Sequence, residues 1–313
     1  MFKRIVALAL NPSLDTTLWI DEVTLSEENM VKEERTDASG KAVNLARTFK
    51  YYNVPSSLVL LIGKYNKHDF LAQLERENIQ YHEIEIEGNT RENLSIVQKD
   101  RSVTRMIRRG FAVPYESLEE TMEVLDGCVD SETLVMISGA LPDGISPRSL
   151  RNICRHIHER GGQITLDSRS ISLQDICDIK PWAIKPNRQE FCNLFEEAPK
   201  DLDEMVAEAK KIVEQGVGYC LISLGGDGML CVGQEGVYYA SAPSVEVRST
   251  VGAGDSSLAG FVKSMMAGKG VVHGLKSAVA FGTAACMVDG TQPPHKLTVC
   301  NLLSQVQVQE LPV

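Results

Sequence analysis

The chain has 313 residues, a hydrophobic fraction of 43% and a formal net charge of −10. Such a fraction is ample for a core, and α/β folds routinely reach this length as one unit. The acidic balance argues against general binding to nucleic acid or anionic membranes, and requires that any site for a small anion be made locally positive.

Residues 4–10 read as a buried strand. The opening run MFKRIVALALNPSLD lacks a small-x-small cleavage site, and Asn11-Pro12 ends it too early for a signal peptide. Residues 40–52 follow as a helix with Ala42, Leu45, Ala46 and Phe49 on one face, 57–62 as a strand and 68–78 as a helix. Residues 133–138, 163–167, 183–185 and 220–224 read as buried strands, most of them flanked by helical runs. From 254 to about 306 the chain reads as mostly helical. This alternation predicts an α/β fold with an open, largely parallel sheet covered by helices on both faces. Two segments break the rhythm, 16–37 and 91–109, which look like short alternating strands with charged faces. They are too polar for the middle of a parallel sheet and are expected to form a small antiparallel layer covering the active site. Residues 1–313 are thus expected to form one domain with that lid.

No apolar run approaches the roughly 18 residues that span a bilayer. Eight cysteines are scattered without a C-x-x-C pair, as expected of reduced core thiols in a cytoplasmic protein. The common phosphate motifs are missing. Gly40-Lys41-Ala42 and Gly268-Lys269-Gly270 have neither the spacing nor the Ser/Thr of a P-loop. Gly252-x-Gly254 lacks the third glycine of a dinucleotide fingerprint and lies late in the chain. Any ATP handled here is bound without a Walker motif.

Four constellations remain. Residues 249–261 (STVGAGDSSLAGF) place three small residues before a carboxylate and then open a helix, since Leu258, Phe261, Val262, Met265 and Met266 recur at helical spacing. Asp255 is there either a helix cap or a base beside an anion hole of free amides. Lys185-Pro-Asn-Arg-Gln-Glu190 stops a strand at Pro186, and Asn187 and Glu190 then share the first turn of a helix. They suit Mg²⁺ and a capping box equally well. Ser223-Leu-Gly-Gly-Asp-Gly228 admits close backbone approach to a nucleotide, or a tight hairpin turn, the commoner use. Asn11-Pro-Ser-Leu-Asp15, Ser39-Gly-Lys-Ala-Val-Asn44 and Thr90-Arg-Glu-Asn93 offer acceptors for a polyol and cations for a phosphate, or else a turn, a cap and a surface arginine.

In this order the motifs resemble the ribokinase/PfkB family of carbohydrate kinases, over essentially the whole chain. STVGAGDS (249–256) is similar to the family's C-terminal signature and GKAVNLAR (40–47) to its N-terminal one. NPSLD (11–15), TREN (90–93), SGALPDG (138–144), KPNRQE (185–190) and SLGGDG (223–228) resemble the branch that phosphorylates sugar phosphates, the phosphofructokinase and tagatose-6-phosphate kinase group. The resemblance implies a ribokinase-like three-layer sandwich with a β lid that doubles as a homodimer interface. It implies ATP and Mg²⁺ as cofactors, with a monovalent cation near the adenine loop. Asp255 would be the general base, with Gly252, Ala253 and Gly254 as the anion hole. Asn187 and Glu190 would organise Mg²⁺, Lys185 would lie near the nucleotide phosphates, and Ser223, Gly225, Gly228, Ser249 and Val251 would border ATP. Asp15, Gly40, Lys41, Asn44 and Ser138 would hold the sugar and Arg91 its existing phosphate, with Arg105 as a further arginine of this branch.

Two stretches depart from the pattern. The turn reads Ser39-Gly-Lys-Ala42 where the family has Gly-Gly-Lys-Gly, and Ala42 does not reach positive φ as glycine does. Residues 288–294 (VDGTQPP) are unusual for the adenine loop. The leading reading is a kinase for a phosphorylated ketohexose, first fructose 1-phosphate to fructose 1,6-bisphosphate, with fructose 6-phosphate and tagatose 6-phosphate as alternatives. Arg91 beside Lys41 argues against an unphosphorylated sugar or nucleoside. The missing early fingerprint argues against a dinucleotide oxidoreductase. Asp255, Asn187 and Glu190 argue against a non-catalytic sugar-phosphate sensor.

Overall fold

The computed structural model describes residues 2–288 and 290–312. Strand β1 (Arg4–Ala9) sends Val6 and Leu8 into one apolar layer and Ile5, Ala7 and Ala9 into those on the opposite face. Burial on both faces is why its sequence is apolar throughout and not alternating.

From β1 the chain leaves the main body as β2 (Ser13–Trp19) and β3 (Glu33–Ser39). It returns through α1 (Lys41–Tyr51), β4 (Ser56–Gly63), α2 (Lys67–Arg76) and β5 (Tyr81–Ile86). It leaves again as β6 (Arg91–Val97) and β7 (Val103–Met106), then returns through α3 (Tyr115–Asp126). There follow β8 (Thr133–Ser138), α4 (Pro147–Glu159), β9 (Gln163–Asp167), α5 (Leu173–Ile179) and β10 (Ala183–Ile184). Next come α6 (Arg188–Cys192), α7 (Leu202–Glu214), β11 (Tyr219–Ser223), β12 (Met229–Gly233) and β13 (Gly236–Ala240). Helices α8 (Ala253–Met266), α9 (Gly270–Ala285) and α10 (Lys296–Gln305) and strand β14 (Val308–Glu310) close the chain.

Among the described residues, ten strands form one sheet in the order β14-β13-β12-β11-β10-β9-β8-β1-β4-β5. From β11 to β5 every pairing is parallel, and β12, β13 and β14 add an antiparallel edge. Leu150, Ile153 and Ile157 of α4, with apolar residues of α3, α5, α6 and α7, fill one face. Leu45 and Phe49 of α1 and Leu258, Phe261 and Leu275 of α8 and α9 fill the other, continued by Phe70 and Leu74 of α2. The result is the three-layer α/β sandwich expected. Helix α4 shows how locally its limits are set: Ser146 accepts from the Ser149 amide, Pro147 opens the first turn, and Leu150, Ile153, Cys154 and Ile157 make the buried stripe. No helix among the described residues is long and apolar enough to cross a membrane, and all eight cysteines are unpaired.

Two details of topology position the site. The strand order grows outward in opposite directions from β1 and β8, so a crevice opens at their C-terminal ends. The second sheet, in the order β3-β2-β6-β7, lies at that same end. Its two hairpins are antiparallel, but they meet along a parallel β2–β6 pair, so the expected antiparallel layer is mixed at its centre. The cause is that β2 follows β1 and β6 follows β5, so both leave the main sheet from the same end. Gly63 seats this lid, because its amide donates to Thr90 Oγ1 at 2.9 Å and a Cβ there would collide with the Thr90 backbone. Asn66 adds bonds to the Thr90 amide (2.8 Å) and carbonyl (2.9 Å), which fixes where Arg91 begins β6.

Candidate active site

Helix α8 begins after Gly252, whose φ of 74° lets the chain turn sharply into it. The N-cap is Gly252 and not Asp255, and no side chain caps this helix. Of the two readings of Asp255, the structure therefore excludes the cap. The side chain turns inward, 5% exposed, and its Oδ2 accepts from Asn44 Nδ2 at 2.9 Å. Arg47 holds the other end of that amide, at Asn44 Oδ1, 3.5 Å away. The Gly254 and Asp255 amides precede the first complete helical turn, and the Ala253 amide reaches only Thr250 O at 3.4 Å. A Cβ at Gly254 would stand 3.1 Å from Lys185 Nζ, so glycine keeps the path from these amides to the lysine open.

Asp255 shares its pocket with three further charges. Lys41 Nζ lies 2.8 Å from Asp167 Oδ1, and Lys185 Nζ lies 3.6 Å from Asp167 Oδ2. Asp167 is 2% exposed, and that Oδ2 makes no hydrogen bond among the described residues. Burial pushes the Asp167 carboxyl up, but Lys185 and Lys41 outweigh it and hold its pKa below the ordinary value. For Lys41 burial pulls downward, and Asp167, Asp255 and Glu190 reverse the sign. Asp255 goes the other way. Burial and the neighbouring Asp167 raise it to about 6 against the pull of Lys41, Asn44 and Lys185. A carboxylate poised there is ionised at neutral pH and more basic than an ordinary one, as a general base must be.

Asp167 was not visible as a site residue, because it reads as the polar end of an apolar strand. The available signal was its place at the C-terminal end of a parallel strand, where such crevices open. Lys41, expected beside Arg91, is seated at this centre instead.

Arg91 occupies the rim below the lid, where Nη2 donates to Asn11 O at 3.0 Å and Nε to Pro12 O at 3.3 Å. Asp15 Oδ1 accepts from Asn93 Nδ2 at 2.8 Å, across the parallel β2–β6 pair. Ser138 ends β8 opposite Asp167, with its Oγ buried and unpartnered. Gly40 caps α1 with φ 118° and approaches Pro12 too closely for a larger residue. Ala42 lies inside α1 and is absent from the positive-φ positions, so the altered turn strains nothing. Arg105 is exposed on β7 with no hydrogen bond or ion pair among the described residues, and its register opposite Ser95 puts it on the lid face that carries Asp15 and Asn93.

On the far side Asn187 and Glu190 form the capping box: Asn187 Oδ1 accepts from the Glu190 amide at 2.8 Å and Glu190 Oε2 from the Asn187 amide at 3.0 Å. Glu190 Oε1 makes no hydrogen bond among the described residues, and the Glu190 charge acts on Lys41. Among the described residues no three His, Cys, Asp or Glu side chains form a metal cage. Ser223 pairs its amide with Pro186 O at 3.0 Å, and Gly225 opens the 3-10 turn Gly225–Asp227 with empty space where a side chain would stand. Gly228 then leads into β12, which returns antiparallel to β11 from Met229, so the hairpin reading of this turn holds. Ser249 Oγ accepts from the Val251 amide at 3.2 Å, ahead of Gly252, which faces Thr291. Asp289, within the unusual 288–294 stretch, lies outside the described residues.

The model of the pfkB family of carbohydrate kinases matches residues 8–297. The 1-phosphofructokinase of Escherichia coli (strain K12) is 28% identical over 309 residues, covering 99% of both chains. That of Bacillus subtilis (strain 168) is 26% identical over 98% of this chain and 100% of its own. The crystal structure of phosphofructokinase-2 from Escherichia coli in complex with substrates and products superposes with a TM-score of 0.91, at 24% identity, over 96% of this chain and 99% of that one. At that identity the likeness speaks for the fold alone.

The geometry separates the two roles of Asp255 by experiment. Asp255→Asn is expected to lower kcat by roughly 10²–10⁴-fold, the range of a lost general base. Because its folded pKa is raised, the carboxylate opposes folding as pH climbs from 3.8 through about 6. The amide should therefore melt no lower than the parent at pH 8, and the parent's kcat/KM should fall below about pH 6 as Asp255 protonates. Normal turnover with a lowered Tm would leave Asp255 a structural residue and end the general-base reading.

Proposed function

The chain belongs to the pfkB family of carbohydrate kinases, and we propose that it transfers the γ-phosphoryl group of ATP to a phosphorylated ketohexose, fructose 1-phosphate first, giving fructose 1,6-bisphosphate. The observation that carries this reading is the buried Asp255 at the mouth of α8, between a lysine-lined pocket and the Arg91 rim. An acceptor hydroxyl placed against Asp255 gives up its proton there, while the amides of residues 253–255 face the charge that builds on the transferred group. Lys185 and Lys41 offset the phosphate charge, and Asp167 keeps the two lysines together before substrate arrives. Asn11, Asp15 and Ser138 present acceptors toward the polyol.

Glu190, with Asn187 beside it, suits a divalent ion held mainly by water and phosphate oxygens, since one of its oxygens remains free and no protein cage is needed. When bound, Mg²⁺ neutralises charge on the β- and γ-phosphates. Arg91 favours an acceptor that already carries phosphate, because a neutral sugar has no use for a guanidinium there. The names of the two bacterial relatives favour the 1-phosphate over fructose 6-phosphate and tagatose 6-phosphate. The unpaired thiols suit a cytoplasmic setting.

The lid supports a homodimer. One face of its sheet carries Arg35, Asp37, Asp15 and Asn93, while Leu18, Leu94, Ile96 and Met106 share the other with Glu34, Glu92 and three threonines and belong to no core cluster. A second copy covering those four apolar side chains would also protect the sheet's open edges.

Three measurements test these points. An ADP-release assay over fructose, fructose 1-phosphate, fructose 6-phosphate, tagatose 6-phosphate, ribose and adenosine should favour a fructose phosphate, and preference for an uncharged acceptor would sink the phosphosugar assignment. Glu190→Gln should raise the Mg²⁺ concentration for half-maximal rate, and an unchanged requirement removes Glu190 from the metal site. Sedimentation should show a dimer at assay concentrations, against which a fully active monomer would count.

A further inference from the structure

The loop after β9 carries a second guanidinium to the rim occupied by Arg91. Ser168 Oγ accepts from the Ser170 amide at 3.2 Å, and Ser170 Oγ accepts from the Leu141 amide at 3.3 Å, so residues 168–170 fold onto the loop that follows β8. That loop is tied in turn to the end of β1, where Asn11 Nδ2 donates to Ala140 O at 3.2 Å. Asn11 and Pro12 are the residues whose carbonyls hold Arg91. These stitches bring Arg169 to Arg91.

The electrostatics agree with this placement. Burial draws the pKa of Arg91 below the ordinary arginine value, Asp15 pulls it back, and the positive charge of Arg169 lowers it further. Arg169 is exposed and makes no hydrogen bond or ion pair among the described residues. Arg91 gives two of its nitrogens to backbone carbonyls and none to a carboxylate. Asp15 is the acid that acts on Arg91, and one of its oxygens is already taken by Asn93, while Arg169 lines a cavity that Glu190 also borders without an ion pair between them among the described residues. Two like charges with so little between them repel, and a dianion placed between them reverses the sign. Lys41 is engaged with Asp167, so the second cation that a phosphate dianion needs must come from elsewhere.

We propose that Arg169 and Arg91 together clamp the phosphate that the acceptor already carries, and that Arg169 is thereby a specificity residue selecting a phosphorylated over a free sugar. This rests on the phosphorylated-ketohexose reading and adds to it a residue that no sequence motif marked. Paired guanidiniums present parallel N–H donors to phosphate oxygens, a geometry that a single arginine cannot reproduce on both sides of the group.

Calorimetric titration without nucleotide tests the clamp. Fructose 1-phosphate, fructose 6-phosphate, tagatose 6-phosphate and free fructose are titrated into the full-length protein, Arg169→Gln and Arg169→Lys, with ATP titrated separately. Arg169→Gln should bind the preferred sugar phosphate about 10–100-fold more weakly, the loss expected for a charge-assisted contact. Its affinity should also depend less steeply on salt than the parent's. Arg169→Lys should recover part of the loss. Free fructose, ATP and the Tm without ligand should be unaffected, since Arg169 supports no other contact. Equal affinity of parent and Arg169→Gln for the preferred sugar phosphate overturns the clamp and leaves the phosphosugar reading standing. A loss confined to ATP, or a lowered Tm with uniformly weaker binding, also overturns it. If the parent binds free fructose more tightly than every phosphorylated sugar, the substrate reading fails and the clamp with it.

Discussion

Lys41 and Lys185 come from opposite halves of the molecule, one opening α1 and the other leaving β10, and Asp167 is what lets them meet. Without its carboxylate the buried ammonium group of Lys185 would face that of the half-buried Lys41 with no acid between them. With it, Lys41 is held at 2.8 Å and Lys185 at 3.6 Å, and the pocket is close to neutral once Asp255 is counted. Buried ion pairs of this kind seldom add to stability, because desolvation offsets their attraction. Their use here is positional. Asp167 Oδ2 is buried without a hydrogen bond among the described residues, and its Lys185 contact is loose, so this lysine is held by charge more than by a bond.

The same cluster decides the chemistry of Asp255. A carboxylate alone in water would be too weak a base to matter, and one paired tightly to a lysine would be weaker still. Asp255 avoids both, because Asp167 takes the nearest lysine contacts and its charge opposes ionisation of its neighbour. Among the described residues the one direct side-chain bond to Asp255 comes from the neutral amide of Asn44, itself oriented by Arg47. The basicity of this carboxylate is therefore set by what its neighbours bond to each other, more than by what they bond to it.

This division explains which parts of the molecule could be read from the chain alone. Strands 133–138 and 163–167 were legible to the residue because burial on both faces leaves an unbroken apolar run with a polar residue at each end. The lid was legible because its charged, alternating strands cannot sit inside such a sheet. The Gly-Ala-Gly-Asp turn and the Asn187–Glu190 pair could each be found, yet each left two meanings open. The structure closed the first, by putting Gly252 at the cap, and kept the cap in the second, with one Glu190 oxygen to spare. Asp167 and Arg169 stayed hidden for a common reason. Their significance lies in partners far away in sequence, and nothing local distinguishes them from a strand end and a loop residue. Arg105 was suggested by family likeness, and the fold sets it on the lid's outer strand, on the face that carries Asp15.

The bond between Asn44 and Asp255 joins residues separated by 211 positions. Helix α1 is made well before α8, so the carboxylate that Asn44 meets arrives only after the strands that α8 covers, and α9 must then follow to pack α8 in place. The sheet can assemble from the centre outward as β1, β4 and β8 appear, so much of the architecture can form during synthesis. The Asn44–Asp255 contact cannot, because it needs α8. A fragment that ends before α8 keeps Lys41, Lys185 and Asp167 but lacks the carboxylate proposed as the base.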